Sequence, residues 1–203
     1  SLTTSRSAPR SSSSYSFVQM FAYNRIFMVP LVVACIYWQS LLGGPLWLRW
    51  VAVGIFILAA ITDFLDGYLA RVLQQHSAFG MMLDPIADKL LVASCLLMLA
   101  ADETIKGWSL WAAIVILCRE ILVSGLREYL AGLRVSVPVT RVAKWKTAIQ
   151  LVAVGFLLAG EAGDRVLLVV TPIGITLLWI SAIFTLYTGW DYFRAGVRHL
   201  IDE

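Results

Sequence analysis

The chain has 203 residues, 60% of them hydrophobic and only 14% charged, with a mean hydropathy of +0.80. These values exclude an ordinary soluble domain and a disordered polymer, and they point to an integral membrane protein. A formal charge of +3 with eight Trp and seven Tyr fits interfacial aromatic belts and one basic face, so no nucleic-acid partner is needed.

Residues 1–14, rich in Ser and Arg and free of acid, cannot bury a core and are expected to form a disordered tail. The same composition resembles the remnant of an organellar transit peptide, and a plain flexible tail accounts for it equally well. Residues 15–203 read as one membrane domain. Residues 15–25 are aromatic and mildly amphipathic, which predicts an N-terminal interfacial helix. Hydropathy then predicts an all-α protein with six transmembrane helices, at about 26–42, 46–71, 82–101, 108–130, 144–161 and 165–193, each near the ~20 residues a bilayer requires. Gly43-Gly44-Pro45, the stretch 101–107 and the stretch 160–164 supply breaks between them. Cys35, Cys95 and Cys118 lie in apolar stretches without paired spacing or His partners, and read as small core hydrophobes.

Basic residues set the expected orientation. Arg71, Arg127, Arg134, Arg141, Lys144, Lys146, Arg194 and Arg198 fall on one side of this topology, and Arg49, Lys106 and Arg165 on the other. Both termini are therefore expected in the cytoplasm, with a bacterial inner membrane or an organellar inner membrane as host.

The most informative stretch is 63–88: Asp63-Phe-Leu-Asp66-Gly67-Tyr-Leu-Ala70-Arg71, eight residues, then Gly80-Met-Met-Leu-Asp84-Pro-Ile-Ala-Asp88. Asp63 and Asp66 are spaced i, i+3, and Asp84 and Asp88 i, i+4, so each pair shares one face of its helix. An aspartate at the centre of a membrane helix costs about 2.5–3.5 kcal/mol, so four in one small protein imply a function. Clustered carboxylate oxygens suit a hard divalent cation such as Mg²⁺ or Mn²⁺. Asp63 lies about 25 Å along the second span, close to its cytoplasmic end, where a water-soluble substrate can arrive.

The stretch matches D-x-x-D-G-x-x-A-R-x8-G-x3-D-x3-D at every fixed position, and so resembles the signature of the CDP-alcohol phosphatidyltransferase family. The resemblance implies a metal-dependent transferase that uses CDP-diacylglycerol, holds one or two Mg²⁺ or Mn²⁺ ions and forms a homodimer. It implies Asp63, Asp66, Asp84 and Asp88 as metal ligands, with Asp88 also the catalytic base on the acceptor hydroxyl. Asp66, Gly67, Ala70, Arg71 and Gly80 would then contact the nucleotide and CDP-lipid. Other readings of single residues stay open: Gly67 and Ala70 as helix-packing positions, Arg71 as a snorkelling arginine, and Asp84-Pro85 as a helix cap.

Two further segments, Arg119-Glu-Ile-Leu-Val-Ser-Gly-Leu-Arg127-Glu128 and Thr140-Arg141-Val-Ala-Lys144-Trp-Lys146-Thr147-Ala-Ile-Gln150, resemble those of the subgroup whose acceptor is glycerol 3-phosphate and whose product is phosphatidylglycerophosphate. Arg119, Arg141, Lys144 and Lys146 are the expected ligands of the acceptor phosphate. Positive-inside anchoring of Lys144 and Lys146, a solvated loop for Arg141 and a buried acidic partner for Arg119 are the alternatives. The subgroup's L-P-N-x-L-T-x-x-R start is not kept, since Gln19 and Ala22 stand where Asn and Thr are usual, and Thr140 and Ala143 replace Ser and Gly. Serine, inositol phosphate or phosphatidylglycerol as acceptor, intramembrane prenyl transfer, and a membrane ion carrier are the competing functions. The carrier leaves Gly67, Arg71 and Gly80 without a purpose.

Overall fold

A computed structural model describes residues 12–73, 78–132 and 141–201, with side chains described for 26–65, 68, 86–132, 145–194 and 197. It contains six α-helices and, among the described residues, no strand: α1 (Ser12–Ser40), α2 (Trp47–Leu73), α3 (Ala78–Ala101), α4 (Ser109–Gly132), α5 (Arg141–Asp164) and α6 (Val170–Ile201). Each predicted span falls on one helix. Four of the helices carry stretches long and apolar enough to cross a bilayer, namely Trp47–Leu65, Ser109–Gly132, Trp145–Asp164 and Val170–Arg194, and Ile26–Ser40 is a shorter apolar helical segment.

The N-terminus differs from expectation. The interfacial helix expected over 15–25 is continuous with the first span, and the helix already includes residues 12–14 of the expected tail. No glycine separates the two segments, and Pro30 lies inside α1 without ending it. Residues 1–11 lie outside the described residues.

Helix α5 is the axis of the bundle. It packs against α2, α3 and α6; α1 packs on α2 and α3, and α4 on α3 and α6. Within α5, Ala153, Val154, Leu157 and Leu158 are buried, facing a core that includes Val32 and Ile36 of α1, Phe56 of α2 and Leu96 and Leu99 of α3. Lipid tails are as apolar as leucine, so packing contacts rather than the hydrophobic effect hold such helices together, and small residues let backbones approach. Ala52, Ala59, Ala112, Ala113, Ala153 and Ala182 serve this purpose in the core. Cys95 is buried as expected, but Cys118 is exposed on α4 and does not belong to the core. An apolar stretch in a membrane protein marks the lipid-facing surface as readily as the interior.

At the end of the bundle away from the acidic motif, one charged side chain ties four segments together. Arg49, 3% exposed, donates from Nη1 to Asp102 Oδ2 (2.8 Å) and Gln39 Oε1 (3.2 Å). Its Nη2 reaches Thr104 Oγ1 (3.1 Å) and the Leu157 carbonyl (3.3 Å), and its Nε the Leu158 carbonyl (3.0 Å). Asp102 is fully buried and its second oxygen accepts the Thr104 amide (2.9 Å). The α5 carbonyls turn toward Arg49 where Gly160 leaves helical geometry (φ 42°, ψ −122°). A Cβ at Gly160 would lie 2.6 Å from Arg49 Nη2, so both its left-handed backbone and its lack of a side chain are needed. Gly43 (φ 68°) performs the other sharp turn, returning the Gly44 amide to the Trp38 carbonyl (2.9 Å) between α1 and α2.

Removing one partner of a buried ion pair leaves an uncompensated charge and costs about 3–5 kcal/mol. Arg49→Met is therefore expected to lower the unfolding temperature in detergent sharply. Arg49→Met combined with Asp102→Leu should be less damaging than Arg49→Met alone, as read by tryptophan fluorescence during thermal unfolding.

Candidate active site

The acidic motif occupies the later half of α2 and the first half of α3, as its spacing predicts. Helix α3 already begins at Ala78, so Asp84 lies inside the helix, which removes its reading as a cap. Asp63 and Asp88 are both half-buried. Asp66, Gly67, Ala70, Arg71, Gly80 and Asp84, with Arg141 and Lys144 on α5, lie on described helices but outside the described side chains. The donors of the motif are all carboxylate oxygens, a set that fits a hard divalent cation and not zinc or copper. Among the described residues no three His, Cys, Asp or Glu side chains cluster as a metal site.

Two concavities adjoin these carboxylates. The larger, about 600 Å³, is an apolar groove between α2 and α5, running from Trp50 past Phe56 and Ile61 to Phe64 and Leu65, with Leu151, Gly155 and Phe156 opposite. Asp63 lies in sequence between the wall residues Ile61 and Phe64 but does not itself line the groove. The smaller cavity, about 80 Å³, lies among α3, α4 and α5; Asp88, Lys89, Glu120, Lys146, Thr147 and Gln150 line it together with the apolar Val92, Ala93, Leu117, Ile121 and Leu151. Leu151 lines both, so one side chain stands between an oily groove and a polar cavity.

The polar cavity is built around Glu120. Its Oε1 accepts from Lys146 Nζ and from Arg119 Nη1 (3.2 Å), joining α4 to α5. Arg119 Nη2 donates to Thr188 Oγ1 on α6 (2.9 Å), and its buried Nε has no partner among the described residues. Room for this arginine comes from Gly189, where a Cβ would lie 3.2 Å from Arg119 Cγ. Ser124 Oγ donates to the Glu120 carbonyl (2.6 Å) and accepts from Lys89 Nζ. One turn beyond, Arg127 Nη2 donates to Tyr192 Oη (3.1 Å) and its guanidinium lies 5.5 Å from the Tyr192 ring centre, a second tie between α4 and α6. The cavity lining holds two cations, Lys89 and Lys146, and two carboxylates, Asp88 and Glu120, and Arg119 adds a third cation behind Glu120. Such a site attracts a small anion and sets a carboxylate beside it.

The structure thus brings together two of the four expected acceptor ligands, Arg119 and Lys146, with Asp88. The alternative reading of Arg119, as partner of an acid, fits its contact with Glu120, although that acid is only partly buried. Lys89, Glu120, Ser124, Thr188 and Gly189 are not singled out by sequence reasoning. For Lys89 a signal was available: a lysine directly after the last aspartate of the motif, within an apolar helix, is as costly as the aspartates themselves.

The molecule is an all-helical membrane protein whose polar site, half acidic and half basic, borders an apolar groove. The profile of the CDP-alcohol phosphatidyltransferase family matches residues 17–187, and the chain belongs to that family. Among curated proteins it is similar to CDP-diacylglycerol–glycerol-3-phosphate 3-phosphatidyltransferases. The Cereibacter sphaeroides enzyme is 39% identical, over 77% of this chain and 86% of its own length. The Rickettsia felis enzyme is 41% identical over 86% and 92%, and the Arabidopsis thaliana enzyme numbered 2 is 38% identical over 88% and 78%.

Glu120 holds two cations of different helices on one oxygen, so its removal should uncouple α4 from α5. Glu120→Ala is expected to destabilise the bundle, and a double-mutant cycle with Lys146→Ala should return a coupling of about 1–3 kcal/mol, measured by unfolding in detergent.

Proposed function

We propose that the protein transfers the phosphatidyl group of CDP-diacylglycerol to glycerol 3-phosphate, releasing CMP and forming phosphatidylglycerophosphate. The observation that carries this reading is the shared wall at Leu151: an apolar groove suited to acyl chains meets a cavity lined by Lys89, Lys146 and Asp88, which can take a phosphate and a reacting hydroxyl. The names of the similar enzymes support the same substrates.

In this reading the acyl chains lie along α2 and α5, and the diphosphate meets the carboxylates of the motif on the later half of α2 and the first half of α3. Lys146 and Arg119 take the acceptor phosphate, a role in which a planar guanidinium and an ammonium complement each other. Both cations are pre-positioned by Glu120 and Thr188, so little side-chain freedom is lost on binding. The acceptor's terminal hydroxyl then faces Asp88, which removes its proton as oxygen attacks the phosphorus bearing the diacylglycerol. The bond from that phosphorus to the CMP oxygen breaks and CMP leaves. A divalent cation, Mg²⁺ or Mn²⁺, held by Asp63, Asp66, Asp84 and Asp88, would neutralise the diphosphate and the departing CMP. A site open to the cytoplasm is the reading that the basic residues Arg127 and Arg194, near the ends of α4 and α6, support. A phosphate-bearing acceptor suits the excess of cations better than free serine does, and an ion carrier has no use for the apolar groove.

The test is CMP release from CDP-diacylglycerol in mixed micelles with a panel of acceptors. Glycerol 3-phosphate should support turnover and serine should not; the reverse would remove this function. Asp88→Asn should lower kcat by about a hundredfold or more without changing the unfolding temperature, as expected for loss of a general base. Lys146→Ala should act mainly on the KM for glycerol 3-phosphate. Chelation of divalent ions should abolish turnover, and its restoration should follow added Mg²⁺ or Mn²⁺.

A further inference from the structure

Gln150 is the group of the polar cavity that nothing so far uses. It follows Lys146 by one helical turn on α5, is 4% exposed, and lines the cavity, yet its buried Oε1 has no hydrogen-bond partner among the described residues. A buried acceptor left unpaired costs about 1–3 kcal/mol, and inside a membrane bundle bulk water offers no relief. Lys146 donates to Glu120 and Lys89 to Ser124, and neither donates to Gln150 Oε1. No described residue supplies the missing donor, which leaves the place open to a ligand. The cavity, at about 80 Å³, is well above the ~10–15 Å³ of such space that one water needs, so the donor can belong to a small solute.

We propose that Gln150 is a specificity-determining residue of the acceptor site, its Oε1 accepting a hydrogen bond from the acceptor hydroxyl that does not attack. This rests on the transferase reading above and deepens it. Glycerol 3-phosphate carries three polar features: an anion, a reacting hydroxyl and a second hydroxyl on the middle carbon. The cavity has three kinds of group to meet them. Cations at Lys146 and Arg119 meet the anion, the Asp88 carboxylate meets the reacting hydroxyl, and the neutral amide oxygen of Gln150 is left for the third. A neutral acceptor is the right choice there, because a hydroxyl that must keep its proton is better held by an amide than by a second base.

The experiment compares glycerol 3-phosphate with 1,3-propanediol monophosphate, the same acceptor without the middle hydroxyl, by CMP release from CDP-diacylglycerol with the full chain. Wild type should favour glycerol 3-phosphate by roughly tenfold in kcat/KM, the size of one hydrogen bond in such a site. Gln150→Met should bring the ratio to about one by losing rate on glycerol 3-phosphate alone, with turnover of the deoxy acceptor within about twofold of wild type. Gln150→Asn, which keeps a neutral amide oxygen at a shorter reach, should keep part of the preference. A role limited to packing would lower both acceptors together and leave the ratio unmoved, which would overturn the proposal. Equal kcat/KM for the two acceptors in wild type would overturn it without any variant, and would point to an ordered water as the partner of Oε1. No CMP release with either phosphate acceptor would be a different result, overturning the transferase reading itself.

Discussion

A charge buried in a membrane bundle has no water to fall back on, and the whole fold is arranged around that constraint. At one end Arg49 spends all three of its nitrogens on Asp102, Gln39, Thr104 and two α5 carbonyls. At the other, Glu120 lies between Arg119 and Lys146. Helix α5 takes part in both ends, presenting freed carbonyls near Gly160 and Lys146 about three turns away. Its rotation and depth are therefore pinned twice. Everything α5 lines, including the groove and the cavity, inherits that fixed position.

Between the two ties the helices are held by contacts that would be weak in water. Small residues allow close approach, and the side chains facing lipid gain nothing by turning inward. That makes the polar ties decisive for which helix faces which. The links from α4 to α6 through Thr188 and Tyr192 are of the same kind, and Gly189 is the concession that α6 makes so that Arg119 can pass.

The number of helices and their approximate limits were legible because a bilayer demands about twenty apolar residues and tolerates few breaks. The motif from Asp63 to Asp88 was legible because its residues are close in sequence and share helical spacing. Arg49 was not: its partners at Asp102 and Leu158 are 53 and 109 residues away, and local spacing carries no trace of them. Glu120 stands next to Arg119 in the chain, but its second partner, Lys146, is on another helix. Cys118 was misread as core because apolarity does not distinguish a lipid-facing position from a buried one. Gln150 was visible within a recognisable segment, and only its burial without a partner gives it a purpose.

Leu151 marks the seam between the two concavities, with the hydrocarbon side of the site on one flank and the ionic side on the other. A single aliphatic residue there belongs to the walls of both, so in the proposed reading acyl chains and phosphate would be separated by one side chain. The boundary between oil and electrolyte, which elsewhere spans the thickness of a headgroup layer, is compressed at this point to the width of one residue.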